Sequence, residues 1–332
     1  MDTIKIAHGS GGRESAGLIQ NIILKYFGNP LLNRLEDAAL LGGTPKNIAL
    51  TCDGFVADPV FFPGGNIGDL AVCGAVNDLA VRGASPKYLS VSFILEDGLP
   101  VADFKKILAA MARRCKEAGV IVACGDTKVV QRGKCDKIFI ITSAVGHMLP
   151  RANIAPQNIE AGDTLIISGA LGEHSLAMLN ARHNLGLKSN LKTDSAPLNK
   201  ITAALINTLG PDVKMMRDIT RGGLSSVLNE LTSRQTGFEI EETLLPVSSA
   251  AKAASELLGL DILDMANEGK FVLAVSAGKA KDALKIIKAQ PYGKGAAVVG
   301  QAVKGGKVNL ITKLGVKRVL RAPLGEALPR IC

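Results

Sequence analysis

Five short apolar runs in the first half of the chain constrain its fold more than any other feature. They read AALLGG (38–43), NIALTCDG (47–54), KYLSVSFILEDG (87–98), GVIVACGDT (119–127) and KIFIITSAVGHM (137–148). Their length, their Val, Ile and Leu content and the Gly or Asp near most of their ends predict β-strands. Two longer segments between them read as helices. In IGDLAVCGAVNDLAVRGA (67–84), Leu70, Cys73, Ala75, Val76 and Leu79 recur at helical spacing. VADFKKILAAMARRCKEAG (101–119) closes on Gly119, a common helix terminator. The strands cluster rather than alternating one by one with helices, which argues against a purely parallel sheet.

The stretch PRANIAPQNIEAGD (150–163) carries Pro and Gly with little periodicity and marks a domain boundary. The pattern then restarts. Strands are predicted in DTLIISGALG, DVKMMRDIT, GFEIEE, KFVLAVS and GAAVVGQAV. Helices are predicted near Glu173–Leu185, over Asn199–Leu209, and in GGLSSVLNELTSRQ, SSAAKAASELLG and KAKDALKIIKAQ. A short amphipathic helix is expected from about Ser15 to Phe27. The resulting fold class is α+β, with two domains, each a mixed sheet with helices on one face. Its parts are an N-terminal segment (1–35), a first domain (36–150), a second domain (151–311) and a mobile C-terminal tail (312–332) carrying Cys332.

Several function classes are disfavoured. The longest uncharged apolar run, Ile138 to Pro150, has 13 residues, short of the ~18 that a membrane-spanning helix needs. The N-terminus lacks the basic lead and apolar block of a signal peptide. The six cysteines include no CxxC pair, so a disulfide framework or a Cys-based zinc site is not expected, and the reducing cytoplasm is the expected compartment. The net charge of +9 is concentrated at the end of the chain: residues 301–332 carry seven Lys and Arg against Glu326 alone. Nucleic-acid binding would call for a longer basic stripe with stacking aromatics. A basic segment that visits an anionic site fits better.

Acidic residues at apolar boundaries point to chemistry. Asp37, Asp53, Asp78 and Asp126 sit where an apolar run meets a turn, or inside an apolar helix. A carboxylate within CGAVNDLAVRG is costly to bury unless it is paired or holds a metal. Mg²⁺ takes oxygen ligands, commonly a few carboxylates plus substrate phosphates. One such Asp reads as a turn residue or helix cap; four in one half-chain leave both readings open. The chain has no Walker A sequence and no GxGxxG. It has instead Gly64-Gly65 before a helix, Gly125-Asp126-Thr127-Lys128, and Arg217-Asp218-Ile219-Thr220-Arg221-Gly222-Gly223 leading into a helix. The last offers two arginines and backbone N–H groups to an anion, with a capped helix start as the alternative. Asn267-Glu268-Gly269, just before a strand, offers a general base or an exposed turn.

Taken in order, EDAA, TCDGFVADPVFFPGGNIGDLAVCGAVNDLA, GDTKVV, MRDITRGGL and NEGK resemble the aminoimidazole ribonucleotide synthetase-like (PurM-like) superfamily of ATP-using enzymes. The opening HGSGG, the DPVFFPGGNIGDLAVCGAVNDLA block and the terminal PRIC narrow the resemblance to the HypE family of hydrogenase maturation carbamoyl dehydratases, over nearly the whole chain. Cys52 and Cys124 stand where small or hydroxyl residues are expected. The resemblance implies two PurM-like domains, the first serving ATP and Mg²⁺ binding and homodimerisation. It implies that the carbamoyltransferase HypF loads Cys332 and that ATP drives dehydration of the S-carboxamide to an S-cyanide. The cyanide then passes to a HypC–HypD iron scaffold for [NiFe]-hydrogenase. In this scheme Asp37, Asp53, Asp78 and Asp126 hold Mg²⁺, while Thr127, Lys128 and the Gly64-Gly65 turn contact phosphate. Asp218, Arg221 and Gly222-Gly223 bind phosphate or polarise the carboxamide. Asn267 and Glu268 face Cys332, with Glu268 as base.

The basic run is expected to help the tail dock near Mg-ATP, with Arg330 on an anionic site and Ile331 in an apolar slot. The tail would then leave the site to meet partners. Two rival readings are a PurM-like enzyme acting on a free small molecule and a non-catalytic thiol carrier. A metallochaperone is disfavoured by four His and no paired cysteines.

Overall fold

The structure, a computed structural model, describes residues 12–24, 30, 32–41, 47–187, 190–324, 328 and 330–332. The HGSG of the opening motif, the last residues of the expected first helix and Pro329 lie outside these. Among the described residues that helix begins earlier, as α1 (Gly12–Leu18), and continues as a π-helical stretch over Ile19–Ile23.

The first-half runs pair into one five-stranded sheet. Its order is β1 (Ala39–Leu41), β2 (Ile48–Phe55), β7 (Ile138–Met148), β5 (Ala84–Glu96) and β6 (Ile121–Val130). All neighbours are antiparallel except β5 and β6. Alternation along β7 puts Ile138, Ile140, Thr142 and Ala144 on one buried face. Against that sheet packs α2 (Ile67–Val81), which in turn packs on α3 (Val101–Ala118). Asn66 caps α2 through Gly68 N, and Asp69 answers through Asn66 N, a reciprocal capping box. Gly119 ends α3 in the left-handed conformation, as its sequence predicts. Every residue of α2 except Asp78 is buried, because the second domain covers the side that the sheet does not. A hairpin of β3 (Phe61–Phe62) and β4 (Gly65–Asn66), unforeseen from the sequence, precedes α2.

The second half forms a seven-stranded mixed sheet. Its order is β14 (Lys317–Val319), β13 (Val308–Ile311), β10 (Thr236–Glu241), β12 (Ala297–Lys304), β8 (Thr164–Ile167), β11 (Phe271–Val275) and β9 (Val213–Asp218). Its helices are α4 (Glu173–His183), α5 (Asn199–Leu209), α6 (Gly223–Glu230), α7 (Ser249–Leu258) and α8 (Ala280–Lys288). α6 is shorter than predicted. α5 and α8 pack together and against this sheet, and α5 also packs on α2.

The expected tail boundary moves. Residues 317–319 are strand β14, paired antiparallel with β13, so the chain stays in the sheet beyond residue 312. The exposed Lys317 and Arg318 of this edge strand hid it, because edge strands carry charge that reads as loop. The cations of residues 313–318 pair with the second domain rather than reaching toward a nucleotide: Lys313 with Glu242 at 3.5 Å, Arg318 with Asp261 at 3.5 Å, and Lys317 with Glu239. No described helix is long and apolar enough to cross a membrane.

Candidate active site

Strand alternation begins the site. Thr51 and Asp53, two apart on β2, share the face turned toward α2. Thr51 Oγ1 donates to Asp78 Oδ2 at 2.6 Å. The approach needs Gly74, one helical turn before Asp78: a Cβ there would lie 2.8 Å from the Phe55 ring and 3.5 Å from Asp53 Oδ2. From the second domain, β9 brings Asp218 to the same place, and its neighbour Arg217 grips Asp37 at 2.7 Å in the same cleft. These groups line a cleft of about 820 Å³ between the domains, together with Thr220, Arg221, Glu268 and Cys332. Gly12, Ala16 and Ile19 of the N-terminal helical stretch wall one side.

The electrostatics are those of crowded, buried carboxylates. Burial pushes Asp78 well above the usual carboxylate range, and Asp53, Asp218 and Asp37 push it further. Asp218 is raised to about 8 by burial and by Asp37, against Arg217. Asp53 is raised by burial, with Arg221 opposing, and Asp37 by burial, with Arg217 opposing. A cation would relieve this crowding, and the all-oxygen donor set suits Mg²⁺. Among the described residues no three His, Cys, Asp or Glu stand close enough to hold one ion between them. One or two carboxylates would therefore hold Mg²⁺ with phosphate oxygens completing its shell.

Glu268 and Cys332 form the other half of the cleft. Glu268 is buried and raised well above its usual range, by burial first and then by Asp194 and Asp218. Its Oε1 has no hydrogen-bond partner among the described residues. Burial and Glu268 push the Cys332 thiol up to about 12, with Arg221 pulling the other way. Arg221 is raised first by the Cys332 sulfur as thiolate and then, against burial, by Asp53, Glu268 and Asp78.

The tail is docked. Val56 N donates to Cys332 O at 3.0 Å and Asp58 N to Arg330 O at 3.1 Å, so residues 330–332 run beside 56–58. Ile331 is buried in the first-domain core, the apolar slot expected for it. Arg330 does not enter the cleft. It pairs with Asp136 at 2.7 Å, donates to Val56 O and lies over Phe139. The expectation that it grips the anionic site is corrected: Arg330 stands at φ +51°, which breaks strand alternation, its side chain is held by Asp136 and Val56 O, and Arg221 is the cation beside the sulfur.

Other sequence-nominated residues lie elsewhere. Asp126, Thr127 and Lys128 sit exposed on β6, where Asp126 pairs with Lys128 at 2.9 Å and accepts from Thr127 N. β6 is three strands from β2, about 14 Å at the usual spacing, so within one chain Asp126 does not join Asp53. Gly64 and Gly65 pack against Lys192 and Thr193, at the end of α2 opposite Asp78, roughly 16 Å away along the helix. They are packing residues, not part of the cleft lining. Asn267 does not face the cysteine. Its amide is spent on the backbone, accepting from Gly172 N and donating to Ile219 O and Met265 O. Gly222 and Gly223 start α6 beside the cleft with positive φ, and a Cβ on Gly223 would lie 2.7 Å from Met265 N.

Sequence reasoning missed the supports. Asn77, beside Asp78, donates to Ala196 O at 3.1 Å and Glu268 O at 3.3 Å, and accepts from Leu198 N. Asp194 accepts from Glu268 N and pairs with Lys270. Asn77 sits next to a nominated residue, which was the only available signal; nothing local marks Asp194.

Comparison with known proteins adds the following. The AIR synthase related protein families match residues 35–148 (N-terminal domain) and 160–313 (C-terminal domain). The carbamoyl dehydratase HypE of Escherichia coli (strain K12) is 44% identical over 338 residues, covering 100% of both chains. That of Rhodobacter capsulatus is 44% identical over 337 residues, covering 100% of this chain and 98% of the relative. A HypE chain crystallised in a HypE–HypF complex superposes with a TM-score of 0.89 at 44% identity, over 92% of this chain and 99% of that one. HypE crystallised with ATP gives 0.83 at 40% identity, over 99% and 100%.

Proposed function

The chain belongs to the HypE carbamoyl dehydratase family of AIR synthase related proteins, and we propose that it dehydrates a carbamoyl group carried on its own Cys332, using ATP. The observation that carries this reading is the position of Cys332: the chain's last residue sits in the interdomain cleft beside Glu268, Arg221 and the acidic cluster. The net change is S–C(=O)NH₂ plus ATP to S–C≡N plus ADP and phosphate. ATP, when bound, supplies the phosphoryl group that makes the amide oxygen a leaving group. One or two of Asp53, Asp78 and Asp218 would hold it through Mg²⁺, with Asp37 available on release from Arg217. Arg221 neutralises charge on the amide oxygen. Glu268, its Oε1 unspent, accepts the N–H proton, and its raised proton affinity makes it an effective base once ionised. The buried Ile331 anchors the tail and so positions Cys332 in the cleft.

The partners follow the same reading. HypF is the carbamoyl donor, as its complex with a relative supports, and a HypC–HypD iron scaffold is the cyanide acceptor for [NiFe]-hydrogenase, in the cytoplasm. The chain works as a homodimer. β6 is a ten-residue edge strand with Ile121 63% and Val129 67% exposed, the kind of edge that a second copy covers. Across that edge Asp126, Thr127 and Lys128 would serve the partner's cleft rather than their own. The test is to incubate the protein with the HypF carbamoyl donor system and ATP, then weigh the C-terminal peptide. The expected product is a loss of water from the carbamoyl adduct on Cys332. No adduct on Cys332, or an adduct that persists after Cys332→Ala, overturns the assignment.

A further inference from the structure

The last three carbonyls of the chain are each held by groups from other parts of the fold. Arg330 O accepts from Asp58 N at 3.1 Å and from Arg182 Nη2 at 2.9 Å. Ile331 O lies 2.9 Å from His174 Nε2, and Cys332 O accepts from Val56 N at 3.0 Å. A carbonyl can only accept, so His174 carries its proton on Nε2, and Nδ1 accepts from Thr193 Oγ1 at 2.7 Å. Thr193 Oγ1 in turn accepts from Ser195 N. His174 is fully buried and its pKa is lowered by burial, which favours this neutral tautomer. Arg182 also donates to Asp58 O at 2.7 Å, fixing the strand that the tail lies along.

These contacts read backbone, together with one buried side chain, Ile331. They are the elements of a site for extended peptides: main-chain pairing gives affinity and a pocket gives specificity. None of them depends on the peptide being covalently attached to the enzyme. We propose that the groove formed by Val56, Asp58, His174 and Arg182 is a C-terminal peptide site that accepts a free peptide ending in Arg-Ile-Cys. The dehydratase would then process an S-carbamoyl peptide in trans. The trans reaction rests on the proposed function; the binding does not.

The tether sets the terms of the experiment. A short flexible linker presents its own end at an effective concentration of order mM, so a free peptide competes with the resident tail only at similar concentrations. In the wild-type chain, mM Leu-Pro-Arg-Ile-Ser should displace the tail and speed iodoacetamide labelling of Cys332. Leu-Pro-Arg-Asp-Ser should not. In the full-length double variant Ile331→Asp, Cys332→Ser the resident tail is ejected. Fluorescein-labelled Leu-Pro-Arg-Ile-Cys should then bind saturably. Adding His174→Ala or Arg182→Ala should weaken that binding by roughly fivefold to tenfold, the size of one lost hydrogen bond. Unchanged Cys332 labelling at saturating peptide, together with no binding by a double variant that melts cooperatively and still binds ATP, overturns the proposal. Binding without conversion of the S-carbamoyl peptide leaves the peptide site standing and counts against the chemistry proposed for Glu268 and Cys332.

Discussion

Glu268 and Asp218 show how one cleft gives carboxylates different tasks. Both are buried and both are raised, but Glu268 lies beside Cys332 and Arg221, whereas Asp218 lies among Asp37, Asp53 and Arg217. Glu268→Gln keeps the shape and removes the proton acceptor. We expect ATP binding to persist and dehydration to fall by about 10²-fold or more, measured as single-turnover loss of the carbamoyl adduct. An unchanged rate removes Glu268 from the base role. Asp218 contributes a pH dependence to stability. It titrates at about 8 in the fold against the usual 3.8, so its protonated form is the one that folding favours. Its contribution is fully present below about pH 4 and is lost as pH rises through about 8. The melting temperature of the nucleotide-free protein should fall across that window, and Asp218→Asn should flatten the fall. Cation and nucleotide binding should release protons and strengthen with pH over the same range.

At the scale of elements, the start of α6 and the loop before β11 are interlocked. Gly223 has φ +63°, and a Cβ there would lie 2.6 Å from Asp264 C and 2.7 Å from Met265 N. That loop continues into Asn267, whose three backbone hydrogen bonds set where Glu268 emerges. Gly223→Ala should therefore cost about 2 kcal/mol or more, from left-handed strain and the clash together. It should also slow dehydration by moving Glu268. Thermal melting and single-turnover rates measured on the same sample check both halves. The Asn267 amide explains why a residue nominated for the chemistry serves the element instead: an Asn in a loop satisfies stranded backbone groups, and here it is fully used.

At the scale of the whole molecule, the sheet order decides which aspartates can cooperate. β2 and β6 are separated by β7 and β5, and the exposed face of β6 points out of the chain. If a second copy covers β6, Asp126 and Glu268 of one working site come from different chains. Asp126→Ala and Glu268→Gln, each inactive alone, should then complement when co-expressed, restoring about a quarter of wild-type activity with random pairing. Size-exclusion chromatography should show a dimer, and Val129→Lys should weaken it. No recovery in mixed dimers would place Asp126 outside the site.

The sequence by itself determined the elements and much of the chemistry. Short apolar runs rich in Val, Ile and Leu marked the strands, and a helical segment closing on Gly119 marked α3 to within a residue. The acids at apolar boundaries marked Asp37, Asp53 and Asp126, an acid inside an apolar helix marked Asp78, the arginine- and glycine-bearing motif over 217–223 marked Asp218, and Cys332 stood out as a thiol on the last residue. These signals are local, since they follow from backbone geometry and from the cost of burying charge. Only the tertiary structure decided which groups meet. It placed β6 at an edge, which took Asp126, Thr127 and Lys128 out of their own cleft. It set Gly64-Gly65 and Asp78 at opposite ends of α2, turned Arg330 toward Asp136, and brought His174 and Arg182 to the carbonyls of the tail. Strand order and domain packing join residues more than a hundred positions apart, and no local pattern of side chains records that pairing.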